Sequence, residues 1–349
     1  MSVRVQHDRL AGFCTAVLRA TGADTASADA ATAAMMHASR LGVDSHGVRL
    51  LEHYTRGFTC GRLNRSPRPR LVSEKGAAAV LDADHAQGAL AAYVASDHAL
   101  RLAQTLGLGA VSIRNTSHFG PAGAFALHIA EAGLIGLVTA NSDAFVRLHD
   151  GAERFHGTNP IAAAAPIDGG DPWLLDMATS AITYNRIQRQ KGLGLPLPPG
   201  VASTEEGLEA TDPGLATMLA PLGDAFGFKG AGLGGLVEVL SVVLAGMRPD
   251  HEILPMGGPD FETPRGLGAF VLAIDPAFFG GRAAFTQRMR HYRDRLRASA
   301  AVAGGAVLAP GDREWAEARR RKRNGIPLDT PMVASFARLA EQYSIDLPF

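Results

Sequence analysis

The chain is short of cysteine, has no surplus of charge and contains no long apolar run, and each lack removes a class of protein. Only Cys14 and Cys60 occur in 349 residues, without a CxxC spacing. That excludes a disulfide scaffold and a thiolate zinc site, and it suits a reducing, cytoplasmic setting. The 34 Lys and Arg are balanced by 34 Asp and Glu. A nucleic-acid binder needs a basic surplus to neutralise phosphates, and an acidic disordered chain needs the opposite, so neither is expected. The basic runs Arg288 to Arg297 and Arg313 to Arg323 are read accordingly as solvated helix faces. No uncharged apolar stretch reaches about 18 residues, so no membrane span is expected. The start, MSVRVQHDRL, has no apolar segment, so no signal peptide is expected. No His/Cys/Asp cluster has zinc-like spacing, and no metal is expected.

What is present is apolar residue and turn residue. Hydrophobic residues make up 46% of the chain, with 40 Gly and 20 Pro. That is enough for a sizeable core with many turns, at a length suited to about two domains. Residues 8–41 read as helices, with Leu10, Phe13, Val17 and Leu18 at helical spacing. After a break at Gly42, Asp44 and Ser45 are expected to cap a helix that ends before Gly61. Residues 64–73, with Pro67 and Pro69, read as a linker or edge segment. From Ala77 short β-like runs appear: AAAVLDA, LGAVSIRN, LIGLVTAN, IAAAAPI and, later, LGAFVLAID. Helical segments around 88–105 and 121–132 separate some of them. Residues 229–247 predict an apolar helix buried all round. Two helices joined by NGIPLDTP are expected in the tail. The alternation indicates mixed α and β, and periodicity alone does not say whether the sheet is parallel.

Four segments carry chemistry. Gly230 to Gly235 fits GxGxxG, but that loop needs a strand just before it, and GDAFGFKG is turn-like. Helix-packing glycines or a flexible turn is the better reading. Ser45-His46, with Arg49, His53 and Tyr54, places His46, His53 and Tyr54 on one stripe and Ser45 with Arg49 on another. A His with a neighbouring hydroxyl and cation can move a proton near neutral pH while a carboxylate is held. The plainer alternative is a capped helix start. In Asn115-Thr116-Ser117-His118-Phe119-Gly120-Pro121-Ala122-Gly123 a strand-like run ends in a His before a helix. The N–H groups of that helix start are placed to meet a phosphate. The alternative is a His closing a turn. His156-Gly157-Thr158-Asn159-Pro160 and Leu175-Asp176-Met177-Ala178-Thr179-Ser180 are polar turns beside apolar strands, which alone read as ordinary β-turns.

Together these blocks resemble the type-2 malate/L-lactate dehydrogenase family, which includes ureidoglycolate and sulfolactate dehydrogenases and Δ1-piperideine-2-carboxylate reductases. The resemblance spans about Leu10 to Leu347. Its blocks run in order: GVDSHG, SHFGPAG, GTNPIA, LDMATS, the turn Thr211-Asp212-Pro213, KGAGLGGLVEVL, LAPGD and NGIPL. It implies an α+β, non-Rossmann NAD(P)-binding fold with a mainly antiparallel sheet flanked by helices. It also implies a helical domain built from both chain ends, residues 1–73 plus about 296–349. The cofactor-binding domain would be 74–295, with a helical insertion near 180–247. A homodimer or larger assembly, with the site near the subunit boundary, is implied too.

By the same resemblance Ser45 and His46 match a proton-relay pair, and His118 the His at the reaction centre. Thr158 matches a substrate contact, and Tyr54 is placed with it. Phe119, Gly120, Pro121, Ala122 and Gly123, then Met177, Ala178 and Thr179, and Phe228 with Lys229, match segments that bind NAD or NADP. Pro310 and Gly311 match a further cofactor segment. The implied activity is hydride transfer between nicotinamide and a 2-oxo/2-hydroxy acid or the corresponding cyclic or linear imine.

The chain departs from the family on the substrate side. Leu50 stands where an Arg usually follows the relay His, with Arg49 one residue before it. Arg147-Leu148-His149 and Tyr184-Asn185-Arg186 replace other family steps, and His156 and Ala231 are also unusual. An atypical substrate is therefore expected. Arg49, Arg186 and Arg147, in that order, are the candidates for holding its carboxylate. The alternative is a member that has lost catalysis and serves binding or assembly, against which Ser45, His46, His118 and Lys229 argue.

Overall fold

The computed structural model describes residues 3–349. In chain order the first elements are β1 (Val3–Val5), α1 (His7–Ala20), α2 (Thr25–Leu41), α3 (Leu51–Cys60), β2 (Arg70–Lys75), β3 (Ala78–Asp82), α4 (Gly88–Leu106), β4 (Leu108–Thr116) and α5 (Ala122–Glu131). The middle of the chain gives β5 (Ile135–Ala140), β6 (Val146–Arg147), β7 (Arg154–His156), β8 (Ile161–Ala165), β9 (Trp173–Met177), α6 (Tyr184–Leu193), β10 (Ala202–Ser203) and β11 (Met218–Leu219). The last are α7 (Phe228–Glu238), β12 (Leu267–Ile274), α8 (Arg282–Arg297), α9 (Asp312–Asn324), β13 (Ile326–Leu328) and α10 (Thr330–Tyr343). Among the described residues no helix is long and apolar enough to cross a membrane.

The five β-like runs of the sequence become β3, β4, β5, β8 and β12, neighbours in one seven-stranded sheet of order β2-β3-β4-β12-β5-β8-β9. Within this sheet β3 and β4 pair parallel and the other five pairings are antiparallel. Strand β2 is the edge strand that the 64–73 segment leads into. Helix α4 packs on β4 and β12, and α5 on β5 and β8. Alanines 89, 91, 92, 95, 99 and 103 of α4 are buried. Such small side chains let the helix lie almost against the sheet. Gly109 of β4 completes the fit, since a Cβ there would stand 2.0 Å from the Ala99 carbonyl oxygen.

A second core joins the chain ends. Leu10, Phe13, Val17 and Leu18 of α1 pack with Met35 of α2, Phe58 of α3 and Phe336 and Leu339 of α10. Strand β1 pairs antiparallel with β13, Val3 opposite Leu328. A third, small core of Val146, Ile182, Ile187, Leu197, Ala202 and Leu219 sits under α6 and the sheet β10-β11-β6-β7. The segment expected as a helical insertion, 180–247, thus carries the two short strands β10 and β11 besides α6 and α7. Two-residue strands have no periodicity to read.

Two local expectations are corrected. Residues 229–247 are not buried all round: α7 runs into a π turn at Val239–Val243, and Leu236, Val239, Val243 and Leu244 are exposed. Asp44 and Ser45 do not cap α3. They lie in a separate 3-10 turn, Asp44–His46, and a second turn, Val48–Leu50, leads into the helix. Asp44 is held instead by Arg321 of α9, whose Nη2 donates to Oδ2 at 2.8 Å and whose Nη1 donates to the Ser39 carbonyl at 2.7 Å. The GxGxxG run forms the body of α7, with Gly230 against the Leu222 backbone and Gly234 against His156. It is a packing surface, as its turn-like approach suggested.

Candidate active site

Strand register brings the polar turns to one edge of the large sheet. Strand β4 ends where β12 begins, with Leu267 opposite Thr116, and β5 ends beside them, with Ala140 opposite Ala269. Strand β8 starts and β9 stops at the same edge, Ile161 opposite Met177. So Ser117-His118 after β4, Asn141 to Asp143 after β5, the 157–160 turn before β8, Thr179 after β9 and Arg265 before β12 are neighbours. The second core delivers Ser45, His46, His53 and Tyr54 to this edge.

His118 is the hub. Tyr54 Oη and His118 Nδ1 are 2.9 Å apart. The His46 ring stacks on it with centroids 5.7 Å apart, and Ser45 Oγ lies 3.0 Å from His46 Nδ1. His53 stands edge-on at 6.5 Å. The loop is fixed by Gln87, which caps α4 by accepting from the Ala89 N–H and donates Nε2 to the His118 carbonyl at 3.2 Å. Gly88 lets that helix start come so near, because a Cβ would fall 2.2 Å from the Ser117 carbonyl oxygen.

Burial sets the charge state. It pushes His46 below the ordinary imidazole value. Burial, with His46, His53 and Arg265 nearby, pushes His118 well below. Burial, then Arg265 and Arg62, lowers His53 to about 4. Burial raises Tyr54, so its phenol keeps its proton. The three imidazoles are therefore neutral at pH 7, each with one basic ring nitrogen.

The 157–160 turn has its own support. The Gly157 N–H and Asn159 Nδ2 both donate to Asp250 Oδ2, at 2.6 and 2.7 Å. Glu238 Oε1 accepts the Asp250 N–H at 2.9 Å. Burial and the neighbouring Glu238 raise the Asp250 carboxyl far above the usual range, so the two acids retain a proton between them. Thr158 is tied in by its N–H to Ser142 Oγ at 3.1 Å and by accepting the Thr179 N–H at 2.9 Å.

Several expected residues are placed differently from one another. Thr158 and Thr179 come together, and Tyr54 joins His118 and His46. Phe226 and Phe228 leave 61% and 54% of their surfaces exposed, with Lys229 Nζ 5.2 Å from the Phe226 ring. Pro310 accepts the Leu174 N–H at 3.3 Å, which sets Pro310-Gly311 beside β9. The start of α5 was expected to offer its N–H groups to a phosphate, but the Gly123 N–H donates to Asp176 Oδ2 at 2.9 Å. Arg49 is exposed and paired with Asp329. Arg147 Nε donates to Ser203 Oγ at 2.6 Å, and Arg186 is exposed on α6. Sequence reasoning missed Gln87, Asp143, Asp250, Arg62 and Arg265, whose partners lie far along the chain. Among the described residues no cluster of His, Cys, Asp or Glu is arranged to hold a metal ion.

The chain is similar to known proteins along most of its length. A family model described as malate/L-lactate dehydrogenase matches residues 5–337. A malate dehydrogenase of Pyrococcus abyssi is 36% identical over 251 residues, covering 70% of this chain and 69% of that one. A ureidoglycolate dehydrogenase (NAD(+)) of Escherichia coli K12 is 33% identical over 295 residues, 84% of this chain and 83% of its own. The crystal structure of a malate dehydrogenase from Entamoeba histolytica superposes with a TM-score of 0.94 at 26% identity, covering 100% of both chains. The chain belongs to the malate/L-lactate dehydrogenase family and is an NAD(P)-dependent oxidoreductase.

Proposed function

We propose that the protein moves hydride between nicotinamide and a 2-oxo/2-hydroxy acid or the corresponding imine, with His118 as the acid/base group. The observation that carries this reading is the neutral His118 imidazole, bonded to Tyr54 and stacked on His46-Ser45 at the edge where five strand ends meet. In reduction an imidazolium His118, its Nδ1–H donating to Tyr54, gives its Nε2 proton to a nascent oxygen or nitrogen and is left neutral. When Nδ1–H donates to Tyr54, the bare Nε2 accepts a proton from a hydroxyl or amine. One hydrogen bond thus serves both directions. Ser45 and His46, with Oγ 3.0 Å from Nδ1, are the proposed relay pair beside it.

The residues present fit a dinucleotide. Exposed Phe226 and Phe228 offer apolar faces to a flat base, and the exposed Lys229 ammonium offers charge to a phosphate. Phe119 to Gly123, Met177 to Thr179 and Pro310-Gly311 are the further segments that would hold it. Bound there, nicotinamide supplies or takes the hydride. Thr158, pinned between Ser142 and Thr179, is the proposed polar contact to substrate. The rewritten positions Leu50, Arg147 and Arg186 support a substrate other than simple malate or lactate.

Residues 1–73 with about 296–349 form the helical domain, supported by the core that α1 to α3 share with β13 and α10. Residues 74–295 form a non-Rossmann cofactor domain, supported by its antiparallel pairings and by a glycine run that is helix rather than loop. A homodimer is supported by the exposed apolar face of Leu236, Val239, Val243 and Leu244, a surface that a second copy would cover. A cytoplasmic location is supported by two free thiols, Cys14 and Cys60. The test is fluorescence of NADH and NADPH on binding, followed by a turnover screen of 2-oxo acids with and without an amine. Binding of either cofactor and turnover of at least one acid are expected. Turnover that requires the amine assigns the imine reaction.

A further inference from the structure

Between His53, His118, Arg62 and Arg265 lies a cavity with room for about one water-sized group. Its cationic walls are unusual. Arg62 is only 2% exposed and Arg265 only 3%. Arg62 spends one N–H, Nη1 to the Met256 carbonyl at 3.0 Å, and its buried Nε and Nη2 find no acceptor among the described residues. Arg265 gives Nε to the Leu254 carbonyl at 2.8 Å and Nη2 to Asp143, while its buried Nη1 likewise finds no acceptor among them. The Phe261 ring packs on these cations, its centroid 4.1 Å from the Arg62 guanidinium carbon and 3.8 Å from that of Arg56.

Charge does not balance here. Arg56, Arg62 and Arg265 face Asp143 and the half-buried Asp260, and Asp143 is already bonded to Arg265 and to the Met256 N–H at 3.1 Å. A buried guanidinium with unpaired N–H groups is costly, and a second one beside it costs more. The oxygens of an anion would accept those N–H groups and offset the like charge. Arg is suited to this because its planar fork meets carboxylate geometry at two points. The position usual for a carboxylate-binding Arg holds the buried Leu50. The neighbouring Arg49 turns to Asp329.

We propose that Arg62 and Arg265 form an anion subsite that seats the substrate's carboxylate beside His118. The proposal rests on the dehydrogenase reading of the same site and names the residues that select its substrate. Arg62 follows α3 and Arg265 precedes β12, so the subsite joins the helical layer to the sheet edge at the reaction centre. An acid enters by an oxygen, with its reacting carbon toward His118.

The test is calorimetric titration of oxalate, with neutral oxamide as its isostere, with and without NADH or NADPH. The wild-type protein is expected to bind oxalate at least about tenfold more tightly than oxamide. Arg62→Gln and Arg265→Gln should each weaken oxalate by roughly 30-fold or more, the usual cost of breaking a buried charge pair. Affinity for reduced cofactor should stay within a few-fold. Arg265→Gln also loses Asp143, so Asp143→Asn/Arg265→Gln is made beside it and folding is checked by circular dichroism. No oxalate binding, equal binding of oxamide, or folded variants that bind oxalate as wild type does would each overturn the subsite. Oxalate that depends on both arginines in a protein that binds neither cofactor would leave the subsite standing and remove the dehydrogenase reading. Cofactor binding with oxalate indifferent to the arginines would do the reverse.

Discussion

At the end of β4 three imidazoles are held neutral by burial, two of them with nearby cations, whereas before β8 a carboxyl is held neutral by burial and by a second acid. The two regions share a sheet edge and differ in closure. Asp250 is 0% exposed, and its Oδ2 meets both the Gly157 N–H and Asn159 Nδ2. His46, His53 and His118 are only half-buried, and arginines with unpartnered N–H groups line a cavity with His53 and His118. The acid pair is a fastener for the turn that carries Thr158. The histidine cluster is open to a ligand and is where protons can move.

This contrast gives its largest prediction at His118. His118→Ala should lower turnover by roughly 10²–10⁴-fold, the range for a positioned acid/base group. Stability should change by only about 1 kcal/mol, for the lost Tyr54 bond. Steady-state kinetics beside thermal unfolding checks both halves. A large fall in melting temperature with little loss of turnover would make His118 a fastener like Asp250. His46→Ala, run in parallel, should cost less if it relays protons rather than delivering them.

Asp250 should behave in the opposite sense. Asp250→Ala strands two buried donors, the Gly157 N–H and Asn159 Nδ2, at about 1–3 kcal/mol each. Melting temperature should fall by several degrees, and KM for substrate should rise as Thr158 loosens. Asp250→Asn keeps an acceptor and a neutral group, and should recover most of that loss. Equal effects of Ala and Asn would show that the shared proton matters more than the acceptor geometry.

Acid titration separates the regions further. His53 is about 4 folded and near its ordinary 6.5 unfolded, so between those values the unfolded chain binds more protons. Stability is then lost as pH falls from about 6.5 toward 4, by at most about 3 kcal/mol from this group. Asp250 runs the other way. Its folded value is raised, so its neutral form stabilises at low pH, and that contribution is lost as pH rises above the ordinary carboxylate range of about 4. Denaturant midpoints against pH should therefore flatten on the acid side in His53→Gln and on the neutral side in Asp250→Asn. A wild-type profile unchanged by either substitution would mean that neither group is as buried as the structure places it.

The sequence makes one half of this comparison far more readable than the other. Ser45-His46 and His118 stand in local blocks beside glycines; the expected helix carries His53 with Tyr54, while His46 joins them from a 3-10 turn ahead of that helix. The strands β3, β4, β5, β8 and β12 announce themselves as apolar runs. Their directions do not, because antiparallel pairing is a contact between distant segments. Asp143, Asp250, Arg62 and Arg265 fail for the same reason. Each is a lone charged residue in a loop, without period or motif, and gains its role when register brings the ends of β4, β5 and β12 together. Asp44 and Ser45 illustrate a local rule overridden from afar: good capping residues, one is taken by Arg321 of α9 and the other by His46.

The smallest effect is expected at Arg49, the arginine that sequence alone ranks first for the substrate carboxylate. Its guanidinium is bonded to Asp329 at the start of α10, with side-chain exposures of 37% and 47%. An exposed pair of this kind contributes about 0–1 kcal/mol, less as salt rises. Asp329 keeps a second duty whatever Arg49 does, since its Oδ1 caps α10 by accepting the Met332 N–H at 3.0 Å. Arg49→Met should thus shift the melting temperature by a degree or two at low salt and less at high salt. KM for the substrate should stay within a few-fold of wild type, and Arg62→Gln under the same assay should not. A rise in KM for Arg49→Met matching that of Arg62→Gln would mean that Arg49 leaves Asp329 when substrate binds, and would return the carboxylate to the helical side of the pocket.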